Sequence, residues 1–63
     1  MIGTTIRNIR TAKGMTLTEL AKAVGVSQPM LTQVERGTKT LSIPLGVEIA
    51  KALGCSIEDL IKE

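Results

Sequence analysis

Residues 15–37 read MTLTELAKAVGVSQPMLTQVERG, and the fold turns on whether the middle of this stretch is one damaged helix or two joined ones. Thr16 and Glu19 stand three apart, the spacing of a capping box in which each side chain satisfies an otherwise unpaired amide of the first turn. Leu17, Leu20, Ala21 and Val24 follow the i, i+3, i+4, i+7 stripe of a helix with one buried face, running to about Ala23. Gly25 ends it, because glycine enters the left-handed conformation without a Cβ clash. Ser27 is placed to cap a new helix through its hydroxyl, and Pro29 is harmless in a first turn, where its missing N–H has no helical partner. The new helix runs to about Arg36, before Gly37. The stretch is a stop, a tight turn and a start.

Working outward, Ile2, Ile6 and Ile9 share a helical face upstream, with Thr4 or Thr5 able to cap its start and Gly14 marking its end after Lys13. Downstream, Ser42 caps a fourth helix that takes Pro44 in its first turn, turns Leu45, Ile49, Ala50 and Leu53 inward and stops at Gly54; Gly46 weakens it. Ser56 with Asp59 caps a short last helix carrying Ile57, Leu60 and Ile61. Leu31, Val34 and Val26 belong to the core. The reading is an all-α, compact five-helix arrangement, one domain over residues 1–63, with connections of about two to six residues.

Composition narrows the function. At 63 residues the chain is small for a self-sufficient core. A single cysteine, Cys55, forms no internal disulfide, and without histidine a structural zinc site is not expected. Helix packing or self-association must then hold the fold. Enzyme chemistry has no support, since Cys55 follows Gly54 in a position expected to be core and the carboxylates are scattered over capping or exposed positions. Met1, Met15 and Met30 read as packing or surface residues, so neither a metal nor another cofactor is expected. No apolar run approaches the ~18 residues of a membrane span, and the first residues are not a secretory signal. A reduced cytoplasmic setting follows as the expectation.

Net charge is only +2, but it is unevenly spread. Up to Thr40 the bases Arg7, Arg10, Lys13, Lys22, Arg36 and Lys39 face only Glu19 and Glu35; from Leu41 onward Lys51 and Lys62 face Glu48, Glu58, Asp59 and Glu63. The first two-thirds of the chain suits an anionic partner. On the third helix, Gln28 and Thr32 are four apart, as are Pro29 and Gln33, making an uncharged polar face near the amino end. Glutamine can make paired hydrogen bonds to the major-groove edge of adenine, and threonine can meet thymine through its methyl or hydroxyl. A helix amino terminus also favours phosphate.

Residues 15–37 resemble the helix-turn-helix of the phage repressor and Cro family, also called the xenobiotic-response-element family. IRNIRTAKGMTLTELA resembles the family's first two helices and IAKALGCSIEDL its last two, so the likeness covers nearly the whole chain. It implies a lambda-repressor-like fold and sequence-specific binding of a palindromic double-stranded DNA operator in a bacterial or phage-infected cell, with repression the expected outcome. By position, Ser27, Gln28, Pro29, Thr32 and Gln33 fall where members face the major groove. Thr16 and Leu17, and Arg36, Thr38, Lys39 and Thr40, fall where members meet the DNA backbone. Arg10 and Glu35 match a pair that in the family forms a salt bridge from helix 1 to the end of helix 3, with a secondary orienting role for Arg10 near phosphate. Two positions depart. Many members carry a glutamine at the place of Leu17, supporting both a phosphate contact and the first glutamine of the reading helix, so Gln28 is less firmly held here. Pro29 offers shape and apolar contact where members often have a polar side chain.

The competing reading is a protein-interaction module, such as an antitoxin or adaptor, or a scaffold that keeps the fold without specific DNA binding. Leu41, Ile43, Ile57 and Ile61 include more apolar surface than a monomer needs. Clustered away from the reading helix, they suit a two-fold homodimer that places two such helices about 34 Å apart. No small-molecule ligand and no membrane partner are expected.

Overall fold

Capping decides where four of the helices begin. The structure is a computed structural model that describes residues 1–61, with α1 at Ile2–Ala12, α2 at Leu17–Val24, α3 at Gln28–Arg36, α4 at Ile43–Leu53 and α5 at Ile57–Ile61. No strand occurs among the described residues, and Lys62 and Glu63 of the charge asymmetry lie outside them. The capping box of α2 is formed in both directions: Glu19 N–H donates to Thr16 Oγ1 at 3.0 Å and Thr16 N–H to Glu19 Oε1 at 2.9 Å. Ser27 Oγ accepts from Met30 N–H at 3.2 Å, and Ser42 Oγ from Leu45 N–H at 3.3 Å. Ser56 and Asp59 repeat the reciprocal pattern ahead of α5, at 3.2 and 3.1 Å.

The start of α1 differs from the sequence reading. The helix begins at Ile2 with Met1 at the cap position and no side-chain cap bond, so Thr4 and Thr5 lie inside it and cap nothing. Thr5 instead bonds the Met1 carbonyl through both its N–H and its hydroxyl, at 3.1 and 3.3 Å, which commits it to the first helical turn.

The turn between α2 and α3 follows the stop-and-start reading. Gly25 adopts φ 73°, and the next amide, of Val26, returns to the Ala21 carbonyl at 3.0 Å, which closes α2 and turns the chain into α3.

Helix α1 packs on α3, α4 and α5, while α2 packs on α3 and α4. Their shared core seals Ile6, Leu20, Leu31, Val34, Ile49, Leu53 and Leu60, with Ala21 and Ala50 filling the tighter spaces. Each such Leu or Ile contributes about 1.5–3 kcal/mol by leaving water. This packing stands where a disulfide would in many chains of this size. The expected stripe is only half-sealed at its ends, since Leu17 and Val24 lie at the core's margin, as do Val26, Ile2, Ile9 and Leu45. Cys55 also corrects the reading: it is half-buried rather than core, because its amide closes the end of α4 on the Ala50 carbonyl at 3.0 Å and holds it in the turn to α5.

One close approach orients the two helices that matter most. Gly3 of α1 is buried against the backbone of α3's last turn; a Cβ there would sit 2.6 Å from the Glu35 carbonyl oxygen and closer still to that of Val34. Arg7 and Arg10 follow Gly3 by four and seven residues, so the same side of α1 carries both arginines toward α3.

Candidate nucleic-acid interface

Helix α3 has two unlike faces. Leu31 and Val34 are buried, and Met30 is half-buried beside them. On the other side Gln28, Pro29 and Gln33 are exposed and Thr32 is half-exposed. Neither glutamine side chain has a protein partner among the described residues, so both amides keep their full donor and acceptor capacity. Thr32 differs: its hydroxyl donates to the Gln28 carbonyl at 3.0 Å, leaving the oxygen lone pairs and the methyl for an outside contact. Ser27 accepts from the helix but keeps its own O–H to donate. The group expected to read bases is therefore brought together on one turn and a half of helix, held by a rigid cap.

The residues expected at phosphates form two clusters. At the start of α2, Thr16 and Glu19 satisfy each other, which leaves the N–H groups of Leu17 and Thr18 without a protein partner among the described residues. The two bonds from Thr16 also hold the Glu19 carboxyl below its ordinary pKa, so it stays ionised at the helix amino end. After α3, Arg36, Lys39 and Thr40 are exposed. Thr38 is committed differently from its neighbours. Its N–H and hydroxyl both donate to the Gln33 carbonyl, at 3.0 and 3.2 Å, so it caps α3, and a phosphate would have to compete for that hydroxyl.

Arg10 and Glu35 form the ion pair expected of them. Arg10 Nε donates to Glu35 Oε2 at 2.8 Å, Nη2 to Oε1 at 3.1 Å, and Nη1 to the Met15 carbonyl at 3.0 Å. The side chains are only 12% and 7% exposed. Arg10 thus joins α1, the loop entering α2, and α3. Beside this fork lies an open cleft of about 440 Å³ whose walls include Arg7, Arg10, Leu17, Thr32, Glu35 and Arg36. Sequence reading missed Arg7 as a member of this surface; its place one turn before Arg10 is the signal that could have found it.

A second, apolar groove of about 300 Å³ gathers Ile2, Leu41, Ile43, Gly46, Ile57 and Ile61, and no residue of α2 or α3 lines it. Ile43 is 80% exposed and Ile61 60%. Among the described residues no three His, Cys, Asp or Glu side chains gather at metal-binding distance, and no helix is long and apolar enough to cross a membrane.

Comparison with known proteins bears directly on the α2–turn–α3 unit. A helix-turn-helix family model matches residues 6–60, nearly the whole chain. The chain belongs to the Cro/C1-type helix-turn-helix family. An HTH-type transcriptional regulator of Archaeoglobus fulgidus, itself uncharacterized, is 42% identical over 57 residues, covering 90% of this chain and 81% of its own length. ClgR, the clp gene regulator from Corynebacterium glutamicum, superposes with TM-score 0.93 at 42% identity, over 95% of this chain and 64% of the solved one. SinR, solved as the master regulator for biofilm formation in complex with DNA, superposes with TM-score 0.92 at 33% identity, over 98% of this chain and all of the solved one. Against the whole SinR of Bacillus subtilis this helix-turn-helix chain is 36% identical and spans 58% of the length. It is thus a helix-turn-helix domain of the transcriptional-regulator type, and it matches only part of some longer relatives.

Proposed function

We propose that residues 1–63 form a single DNA-binding domain that recognises a palindromic double-stranded operator as a homodimer and represses transcription by occupying it. The observation that carries this is the outward face of α3: Gln28 and Gln33 are exposed, with side-chain amides that have no partner among the described residues, and the exposed cations Arg36 and Lys39 follow at and just after the helix end. In this reading Ser27, Gln28, Pro29, Thr32 and Gln33 meet base edges in the major groove. Leu17 and Thr16 at the start of α2, with Arg36, Lys39 and Thr40, hold backbone phosphates and set the register. Arg10 orients these elements, and Thr38 supports them by ending α3. SinR, solved on DNA, supports the reading through its matching fold and sequence. Catalysis and a resident cofactor have no place in it, and an operator puts its work with the chromosome, in the cytoplasm.

The apolar groove supports the dimer. Exposed Ile43 and Ile61 flank it, and a second copy is a partner that brings the same apolar surface to it. The described chain extends 25 × 24 × 18 Å between Cα atoms, so two copies in contact reach a spacing of the order of one DNA turn, about 34 Å. The same groove is also what would serve a protein adaptor. Selection from a random duplex pool separates the two: an inverted repeat with half-sites one turn apart supports the dimeric regulator, and no enrichment at any salt concentration overturns it.

A further inference from the structure

We infer that Arg7 and Arg36 together seat one additional DNA backbone phosphate in the cleft between α1 and α3, extending the duplex footprint onto the first helix. The inference rests on the DNA-binding reading above and adds Arg7, which is not among the residues expected from sequence to meet the DNA backbone, as a partner of Arg36.

The fold brings the two arginines to one cleft. Because Gly3 has no Cβ, α1 lies directly on the backbone of α3's last turn, at the Val34 and Glu35 carbonyls. Arg7, four residues on, then enters the same cleft wall as Arg36 and Thr32. Arg10 and Glu35 also line it, but their two-bond fork cancels their charges, so among the side chains lining the cleft the charges of Arg7 and Arg36 are left uncompensated. Neither has an ion pair or side-chain hydrogen bond among the described residues, and both are exposed.

Two like charges lining an open polar cleft disfavour each other until an anion lies between them. A guanidinium presents a planar fork of donors that matches two phosphate oxygens, and the carboxylate that lines this cleft, Glu35, is already engaged by Arg10. The cleft reaches Thr32 on the reading face and Leu17 at the start of α2, whose N–H has no protein partner among the described residues. A duplex lying on α3 therefore continues across the mouth of this cleft, and the group it carries there is a phosphodiester. Arg7 acts on position and affinity, with no base edge in reach of a site on the α1 side.

The test is a salt titration of binding to the duplex enriched from the random pool, using the whole chain and its variants Arg7→Ala, Arg7→Lys and Lys51→Ala. Lys51, exposed on α4 and outside the cleft, controls for loss of one charge anywhere. Arg7→Ala is expected to lower the slope of log affinity against log salt by about one unit, so that the wild-type advantage shrinks about 3.5-fold between about 50 mM and about 200 mM salt. The loss should be the same factor for every point variant of the site. Arg7→Lys should keep the slope, and Lys51→Ala should leave it unchanged. Thermal melting of Arg7→Ala should match wild type, which keeps a binding loss distinct from unfolding. A wild-type slope in Arg7→Ala, an equal drop in Lys51→Ala, or a loss confined to one base pair overturns the phosphate seat while the DNA-binding reading stands. Failure of the wild type to select any duplex overturns both.

Discussion

Arg10 and Glu35, 25 residues apart in the chain, meet as a two-bond fork of 2.8 and 3.1 Å, and the third guanidinium nitrogen of Arg10 reaches the Met15 carbonyl. One side chain thereby links α1, the entry to α2, and α3. A nearly buried pair of this kind adds little net stability over apolar replacements, but removing one partner strands the other's charge at a cost of roughly 3–5 kcal/mol. Arg10→Met should accordingly be less stable than Arg10→Met combined with Glu35→Leu. Urea denaturation checks this, and a single variant as stable as the double one contradicts it.

Gly3 is as constrained as the ion pair, for a steric reason. Alanine favours a helix interior over glycine by about 1 kcal/mol, yet its Cβ would press on the Val34 and Glu35 carbonyls, which are backbone and cannot rotate away. Overpacking of that kind costs typically about 1–3 kcal/mol. Gly3→Ala should lower the melting temperature, and an unchanged or raised value would show that α1 can shift freely on α3.

The reading face and the phosphate clusters should fail in different ways. Gln28→Ala is expected to relax base preference at one position, at a cost of about 1–3 kcal/mol for the preferred site. Lys39→Ala should weaken all sequences alike and reduce the salt slope by about one unit. Binding measured on a panel of single-base variants distinguishes them.

Acid should weaken the start of α2. Glu19 has its pKa lowered below 4.5 by the Thr16 backbone and hydroxyl bonds, so its contribution to stability is complete above the unfolded value and is lost as pH falls through the folded one. Glu19→Gln should therefore flatten the acid limb of the stability profile below about pH 4.5. Thermal melts of both proteins from neutral to acid pH measure the difference; parallel profiles would remove Glu19 from the account.

The apolar groove should be separable from the fold. Ile43 is 80% exposed at the first position of α4, where an acidic side chain also suits the helix amino end. Ile43→Glu should leave the melting temperature of the isolated domain at low concentration unchanged and shift sedimentation toward monomer at high concentration. A wild type that sediments as a monomer on its operator would instead withdraw the dimer.

Helix number, the helix limits other than the start of α1, and the α2–turn–α3 unit were legible in the sequence because they depend on local chemistry. Thr16 with Glu19, Ser27 before Pro29, and Gly25 between them act within a few residues of themselves, and the stop, turn and start follow whatever else the chain does. The same holds for the exposed glutamines of α3, which helical periodicity separates from Leu31 and Val34. The start of α1 was misread because a threonine that suits a cap also fits the first turn, where Thr5 bonds the Met1 carbonyl. Tertiary structure alone decided the rest. Only packing brings the Gly3 backbone against Val34 and Glu35, brings Arg7 and Arg36 to one cleft, and gathers Ile2, Leu41, Ile43, Ile57 and Ile61 from four segments into one groove. Local propensity places a side chain on a helix face, but which faces meet depends on how closely two backbones can approach, and in this chain a missing Cβ at Gly3 sets that distance.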